Sequence, residues 1–304
     1  MRTNRRIVLT VVPIIGIGAV IWLSLALRPP PEPVYQGKPL SYWLAGYNPP
    51  AYQLAHPHGP APPSYVEANT AIREIGTNAV PILLRMLQGP DATLKDRLWD
   101  LARKQHFFAV PPRFYPNPKF EIAAGFRALG KTASNAVPSL IVMFTHYPTV
   151  AFLQQAVPEI LGDIGPAARR AVPILLRAAT HTNQVVRNNA IFALGKIGAE
   201  PDSVVPVLIN RLKDTDTQVR TQAARALGAF GGKAGSATPA LIELWSNEGK
   251  HNAKPVNGIN TSVSLTWQTS WPPTGTGNPP DPSAAAADAL LKIDPESAAK
   301  VGVK

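Results

Sequence analysis

The strongest constraint on this chain is that it repeats itself. HTNQVVRNNAIFALGKIG (181–198) aligns with DTDTQVRTQAARALGAFG (214–231) at an offset of 33. Upstream, TVAFLQQAVPEILGDIG (149–165) fits the same offset, and FEIAAGFRALG (120–130) sits 35 residues before that. Each segment ends in a glycine (Gly130, Gly165, Gly198, Gly231), and a proline follows eight residues later in all four (Pro138, Pro173, Pro206, Pro239). A more divergent copy, EANTAIREIGTNAVPILLRML (67–87), carries Gly76 and Pro81, and AAAADALLKIDP (284–295) reads as the first helix of a last, incomplete copy.

The residue types predict a pair of helices in each copy. Val186, Ala190, Ala193, Leu194 and Ile197 fall on one helical face, and Val219, Ala223, Ala226, Leu227 and Phe230 repeat it. Small alanines let neighbouring helices approach closely. The terminal glycine predicts a left-handed C-cap, and the proline is expected in the first turn of the second helix, where its missing N–H costs nothing. Leu83, Leu140, Leu175, Leu208 and Leu241 all stand two residues after the proline. A lone helical hairpin cannot bury such faces, so the pairs must stack into a solenoid.

The ankyrin and tetratricopeptide patterns are missing. What remains resembles the short HEAT-like repeats of the phycobilin-lyase type, carried by VRNNAIFALGKIG and VRTQAARALGAFG. The resemblance covers about residues 64–304 with two interruptions and is strongest over 149–245. It implies an all-α fold, a right-handed α-α superhelix of armadillo-like kind, with second helices lining the concave face. Arg187 and Arg220 match the family's recurrent arginine, and Asp216 matches its helix-starting acid. Their implied role is structural, joining neighbouring repeats by polar contacts. Gln154, Lys119 and Tyr65 replace the arginine in earlier copies.

Ahead of the repeats, residues 7–27 (IVLTVVPIIGIGAVIWLSLAL) carry no charge. As a helix they would span roughly 32 Å, the thickness of a bilayer core. Arg2, Arg5 and Arg6 precede the run and only Arg28 follows closely, so the positive-inside bias keeps the N-terminus cytoplasmic and sends the rest across. The expectation is a single-pass membrane protein: stub and transmembrane anchor over 1–28, repeat domain outside the cytoplasm. A cleaved signal peptide is the rival, since Ser24-Leu25-Ala26 resembles a cleavage site; the domain would then be secreted. With no cysteine, a lipoprotein anchor is excluded.

Residues 29–63 have proline clusters at both ends and are expected to form a semi-rigid stalk. Between the clusters, Leu40, Trp43, Leu44 and Tyr47 fall at helical spacing, suited to packing on the exposed end of the repeats or to recognising a partner. The repeat domain, 64–304, has insertions at about 91–118 and 246–283. The first combines a helix bearing Leu94, Leu98 and Leu101 with an aromatic loop. In the second, Val263, Leu265 and Trp267 alternate as in a strand, and Trp271-Pro272-Pro273 follows. It reads equally as a binding loop or as a cover for the solenoid end.

Little in the chain suits catalysis. None of the six histidines precedes a glutamate, and there is no H-E-x-x-H, Walker or G-x-S-x-G pattern. No cofactor or metal set is expected, and the chain reads as a non-enzyme. The position four residues past each repeat proline holds Arg85, Val142, Arg177, Asn210 and Glu243. It interrupts an apolar helix and should face a groove or solvent. Arg85, Arg177, Asn210, Glu243, Trp267 and Trp271 are therefore the candidate partner-binding residues of a membrane-tethered scaffold. The formal charge of +11, spread singly over the repeats, allows a second reading, an anionic polymer or nucleic acid on a basic face. A domain outside the cytoplasm speaks against nucleic acid. A third, a pigment-handling enzyme like the phycobilin lyases, follows from the resemblance alone.

Overall fold

The chain divides into two units, Met1–Pro33 and Val34–Lys304, and the repeats belong to the second. A computed structural model describes residues 31–88, 119–252 and 281–303. The apolar run 7–27, the insertion 91–118, Trp267 and Trp271 lie outside the described residues. Among the described residues no helix is long and apolar enough to cross a membrane.

The period becomes pairs of helices: α3 (Tyr65–Ile75) with α4 (Val80–Gln88), α5 (Lys119–Leu129) with α6 (Val137–His146), and α7 (Ala151–Ile164) with α8 (Val172–Ala178). Then come α9 (Gln184–Ile197) with α10 (Pro201–Arg211), α11 (Thr217–Phe230) with α12 (Thr238–Asn252), and finally α13 (Pro282–Ile293) followed by the short α14 (Pro295–Lys300). The second insertion is thus shorter than the expected 246–283, because α12 continues through Asn252 and α13 starts at Pro282.

First helices pack on first helices in chain order, α3 on α5, α5 on α7, and on through α13. One core runs through all of them. Leu83, Leu140, Leu175, Leu208 and Leu241 are all fully buried within it. So are Ala190 and Leu194 of α9 and Ala223 and Leu227 of α11. Removing one such leucine side chain would cost about 2–5 kcal/mol, because packed neighbours only partly refill the cavity.

The turn inside each pair departs from expectation. Gly198 takes the expected left-handed conformation (φ 62°, ψ 22°). Gly76, Gly165 and Gly231 have positive φ but ψ of −138°, −144° and −140°, a mirror-extended region that only glycine enters readily. That geometry feeds a 3-10 turn (Gly76–Ala79, Gly165–Ala171, Gly231–Ala237) and, after Gly130, the same turn over Gly130–Ala136. Each turn drops alanines at fixed places into the core: Ala79, Ala133, Ala136, Ala168, Ala171, Ala234 and Ala237 are fully buried. After Gly198 the place of the first alanine is held by Pro201, which starts α10 at once. The repeat proline Pro206 therefore lies inside that helix rather than in its first turn, whereas Pro81, Pro138, Pro173 and Pro239 are second residues of their helices.

The expected stalk also needs correction, since most of 29–63 is folded. Val34–Tyr35 (β1) and Lys38–Pro39 (β2) form an antiparallel hairpin. Gln36 and Gly37 both take positive φ there, as a tight two-residue turn requires. Two short helices, α1 (Leu40–Leu44) and α2 (Pro49–Ala55), follow. Leu40, Trp43, Leu44 and Tyr47 are buried, and α1 packs against α3 and α5. The Tyr47 hydroxyl donates to Asn69 Oδ1 at 2.9 Å; burial, then the neighbouring Tyr65, pushes its phenol pKa up. The segment closes the apolar end of the first pair, which otherwise would face water.

Candidate functional site

Second helices expose the position that the repeat singled out. Val142 on α6, Arg177 on α8, Asn210 on α10 and Glu243 on α12 are exposed, while the leucine two residues earlier in each is fully buried. Arg85 on α4 differs. It is half-buried, and among the described residues its Nη1 has no hydrogen-bond partner. Val142 borders a hollow of about 280 Å³ together with Gln88, Pro138, Ser139, Met143 and Tyr147.

Asn210 borders a second hollow, of about 370 Å³, whose wall includes His181, Arg187, Arg211, Lys213 and Asp214. Its architecture explains the recurrent arginine. Arg187 Nη1 donates to the carbonyls of His181 and Thr182, both at 2.9 Å, clasping the loop before its own helix. Its other edge reaches the next repeat, with Nε to Asp214 Oδ2 at 3.0 Å and Nη2 to Asp214 Oδ1 at 2.8 Å. Arg211 adds Nη1 to Oδ2 at 3.3 Å, and the backbone N–H of Asp216 donates to Oδ1 at 3.0 Å. Burial alone would lift the Asp214 pKa, but the Arg187 hydrogen bonds, the Asp216 amide and the two arginine charges hold it below the usual value.

Arg220 repeats the clasp on Asp214 and Thr215. Gln154 does so without a charge, its Nε2 donating to the carbonyls of Phe144 and Tyr147 at 2.8 and 3.2 Å. Asp216 caps α11, accepting from the Val219 amide at 3.0 Å. Lys213 pairs with Glu243 of α12 at 3.1 Å, both exposed. The four described partner candidates do not converge: Asn210 and Glu243 are linked through Lys213, whereas Arg85 and Arg177 line neither hollow.

Sequence reasoning missed three features. It passed over Asp214 in favour of Asp216, although the D-x-D spacing held both. It missed a cluster in which Arg127 of α5 binds Asp163 (Nε to Oδ2, 3.0 Å) and Glu159 of α7. Burial pushes both carboxyl groups up, and Arg127 offsets this only in part. It also missed glycines at fixed register inside the first helices. A Cβ on Gly162 would lie 2.9 Å from Ala193 Cα, on Gly195 2.9 Å from Ala226 Cα, and on Gly228 3.1 Å from Ala289 Cα. The 33-residue recurrence of G-x-x-G was the available signal. Among the described residues, no three His, Asp or Glu side chains gather where they could hold a metal ion.

Residues 172–251, from α8 almost to the end of α12, match the HEAT repeat family. No curated protein matches the chain. Among solved structures, one crystal structure of an engineered protein is similar at 19% identity and a TM-score of 0.39, covering 78% of this chain and 92% of that one. A second engineered protein is similar at 18% identity and a TM-score of 0.42, covering 83% of this chain and 60% of that one.

Proposed function

We propose that this HEAT-like protein is a non-catalytic scaffold that binds a protein or peptide partner along its second helices. HEAT repeats over 172–251 suggest a scaffold for protein–protein interaction. One observation carries the assignment to a face: along α6, α8, α10 and α12 a single register position stays exposed while its chemistry changes from Val142 to Arg177, Asn210 and Glu243. The buried positions of the repeat stay apolar for packing, so a position freed from packing can be tuned to a ligand. Photo-cross-linkers placed at Arg177, Asn210 and Glu243, with Val185 and Arg225 of the first helices as exposed controls, test it. A shared partner captured from the second-helix positions and not from the controls is the expected result; equal capture from both sets contradicts it.

The reading includes a membrane tether at residues 7–27, with the repeats on the non-cytoplasmic side. The uncharged run and its preceding arginines support this. The chain should stay with membranes through alkaline carbonate washing, and deletion of residues 1–28 should release it. Release of the intact chain by carbonate would rule the tether out.

A further inference from the structure

We propose that the hollow between the loops leading into α9 and α11 is a carboxylate site, taking an acidic side chain of the partner; this rests on the scaffold reading above. The argument is an inventory of what its wall still has to offer. Asp214 is the wall's acid, and its oxygens are taken: Oδ2 by Arg187 Nε and Arg211 Nη1, Oδ1 by Arg187 Nη2 and the Asp216 amide. The carbonyls of His181 and Thr182 are taken by Arg187 Nη1. The imidazole of His181 accepts the Asn183 N–H at Nδ1 (3.0 Å), so in its neutral form the proton sits on Nε2 as a donor.

Among the charged groups of the wall, what is left over donates, while Asn210 and the threonine hydroxyls can serve either way. Arg211 Nε is buried and, among the described residues, has no hydrogen-bond partner. Such an orphan N–H is costly and calls for an acceptor. Three cations, Arg187, Arg211 and Lys213, line this wall against two carboxylates, Asp214 in the wall and Glu243 paired with Lys213 outside it. The matching ligand is an oxyanion. Lys213 shows which kind, because it already holds a carboxylate, that of Glu243 on the next second helix, at 3.1 Å. Asn210, in the same wall, belongs to the partner-facing row. An acidic segment lying along that row would pass the mouth of the hollow, which makes a partner's Asp or Glu the occupant, rather than a free anion.

The test is binding of a fluorescent hexaglutamate peptide to the purified full chain, with inorganic phosphate as the competing arm. Arg211→Gln with Lys213→Gln should weaken the peptide about tenfold or more, whereas Lys131→Gln with Lys233→Gln, removing equal charge from exposed turns elsewhere, should change it less than about twofold. Lys213→Gln alone, at an exposed side chain that leaves the fold intact, should weaken it about threefold with an unchanged melting curve. Absence of peptide binding, equal loss in the two double variants, or saturation by phosphate without peptide binding would overturn the assignment. Partner capture at Asn210 and Glu243 that survives Arg211→Gln with Lys213→Gln would also overturn it while leaving the scaffold reading in place. Loss of capture at every second-helix position in the unaltered chain would instead remove the scaffold reading itself.

Discussion

The junction between α5 and α7 and the junctions that follow it use the same register position in opposite ways. Gly162, Gly195 and Gly228 each let a first helix settle backbone-on-alanine against the next, at Ala193, Ala226 and Ala289. In α5 that place belongs to Arg127, which meets Glu159 and Asp163 across the interface. The later crossings close by contact, and at their loop end Arg187 and Arg211 share Asp214. The charge balance is inverted too. One cation faces two half-buried acids at Arg127, while two cations face one acid at Asp214. The comparison teaches that a glycine's missing side chain can do at a helix crossing what an arginine must do with charge, and that burial set against the number of ion partners fixes the sign of pH dependence.

The largest effect should come from filling a glycine junction. Gly195→Leu must push α9 and α11 apart, since even a Cβ would lie 2.9 Å from the Ala226 backbone. A loss of about 3 kcal/mol by chemical denaturation is expected, whereas Arg127→Lys, which keeps a cation beside Glu159 and Asp163 at a place where a side chain already fits, should cost less. Equal costs would end the distinction between the junctions.

Next in size is Asp214→Asn, which leaves Arg187 and Arg211 facing an uncharged amide; its side chain is only 4% exposed. A cost of about 2 kcal/mol is expected at neutral pH. Because the folded pKa of Asp214 is depressed, its contribution is present above the ordinary carboxylate pKa and is lost as pH falls through the folded value. The variant should therefore flatten the acid limb of a stability–pH profile. An unchanged acid limb would show that Asp214 is not held ionised by its arginines.

Smallest is Glu159→Gln, within about 1 kcal/mol of the unaltered chain and on the stabilising side at neutral pH. The sign here is reversed. Folded pKa values of Glu159 and Asp163 are raised by burial, so their contribution is full below the ordinary carboxylate pKa and declines as pH rises through the folded values. Thermal melts from mildly acidic to neutral pH should lose part of that decline in the variant. A steeper decline would mean that Arg127 more than compensates the two acids.

Much of the helical organisation could be read from the repeat, because the Gly and Pro spacing and the leucine two residues on report directly on turns and core. Turn conformation could not. The same glycine serves a mirror-extended bend before Ala168 and a left-handed one before Pro201, two turns that differ in the residue three positions later. In 34–55 the helical spacing of Leu40, Trp43, Leu44 and Tyr47 was legible as a face to be buried against the repeats, whereas the hairpin and α2 were hidden because prolines at both ends of the stalk suggest extended chain. The exposed row on the second helices was legible as a break in an apolar pattern. Asp214 and Arg211 were not, because a hollow built from two successive loops has no signature within either loop.

The claim on which the rest depends is that neighbouring first helices share one core through these close crossings. Hydrogen exchange on Gly195→Leu tests it most directly. Amides of α9 and α11 should lose protection together, with α3 and α5 less affected. Faster exchange confined to α9, with α11 as protected as before, would contradict it.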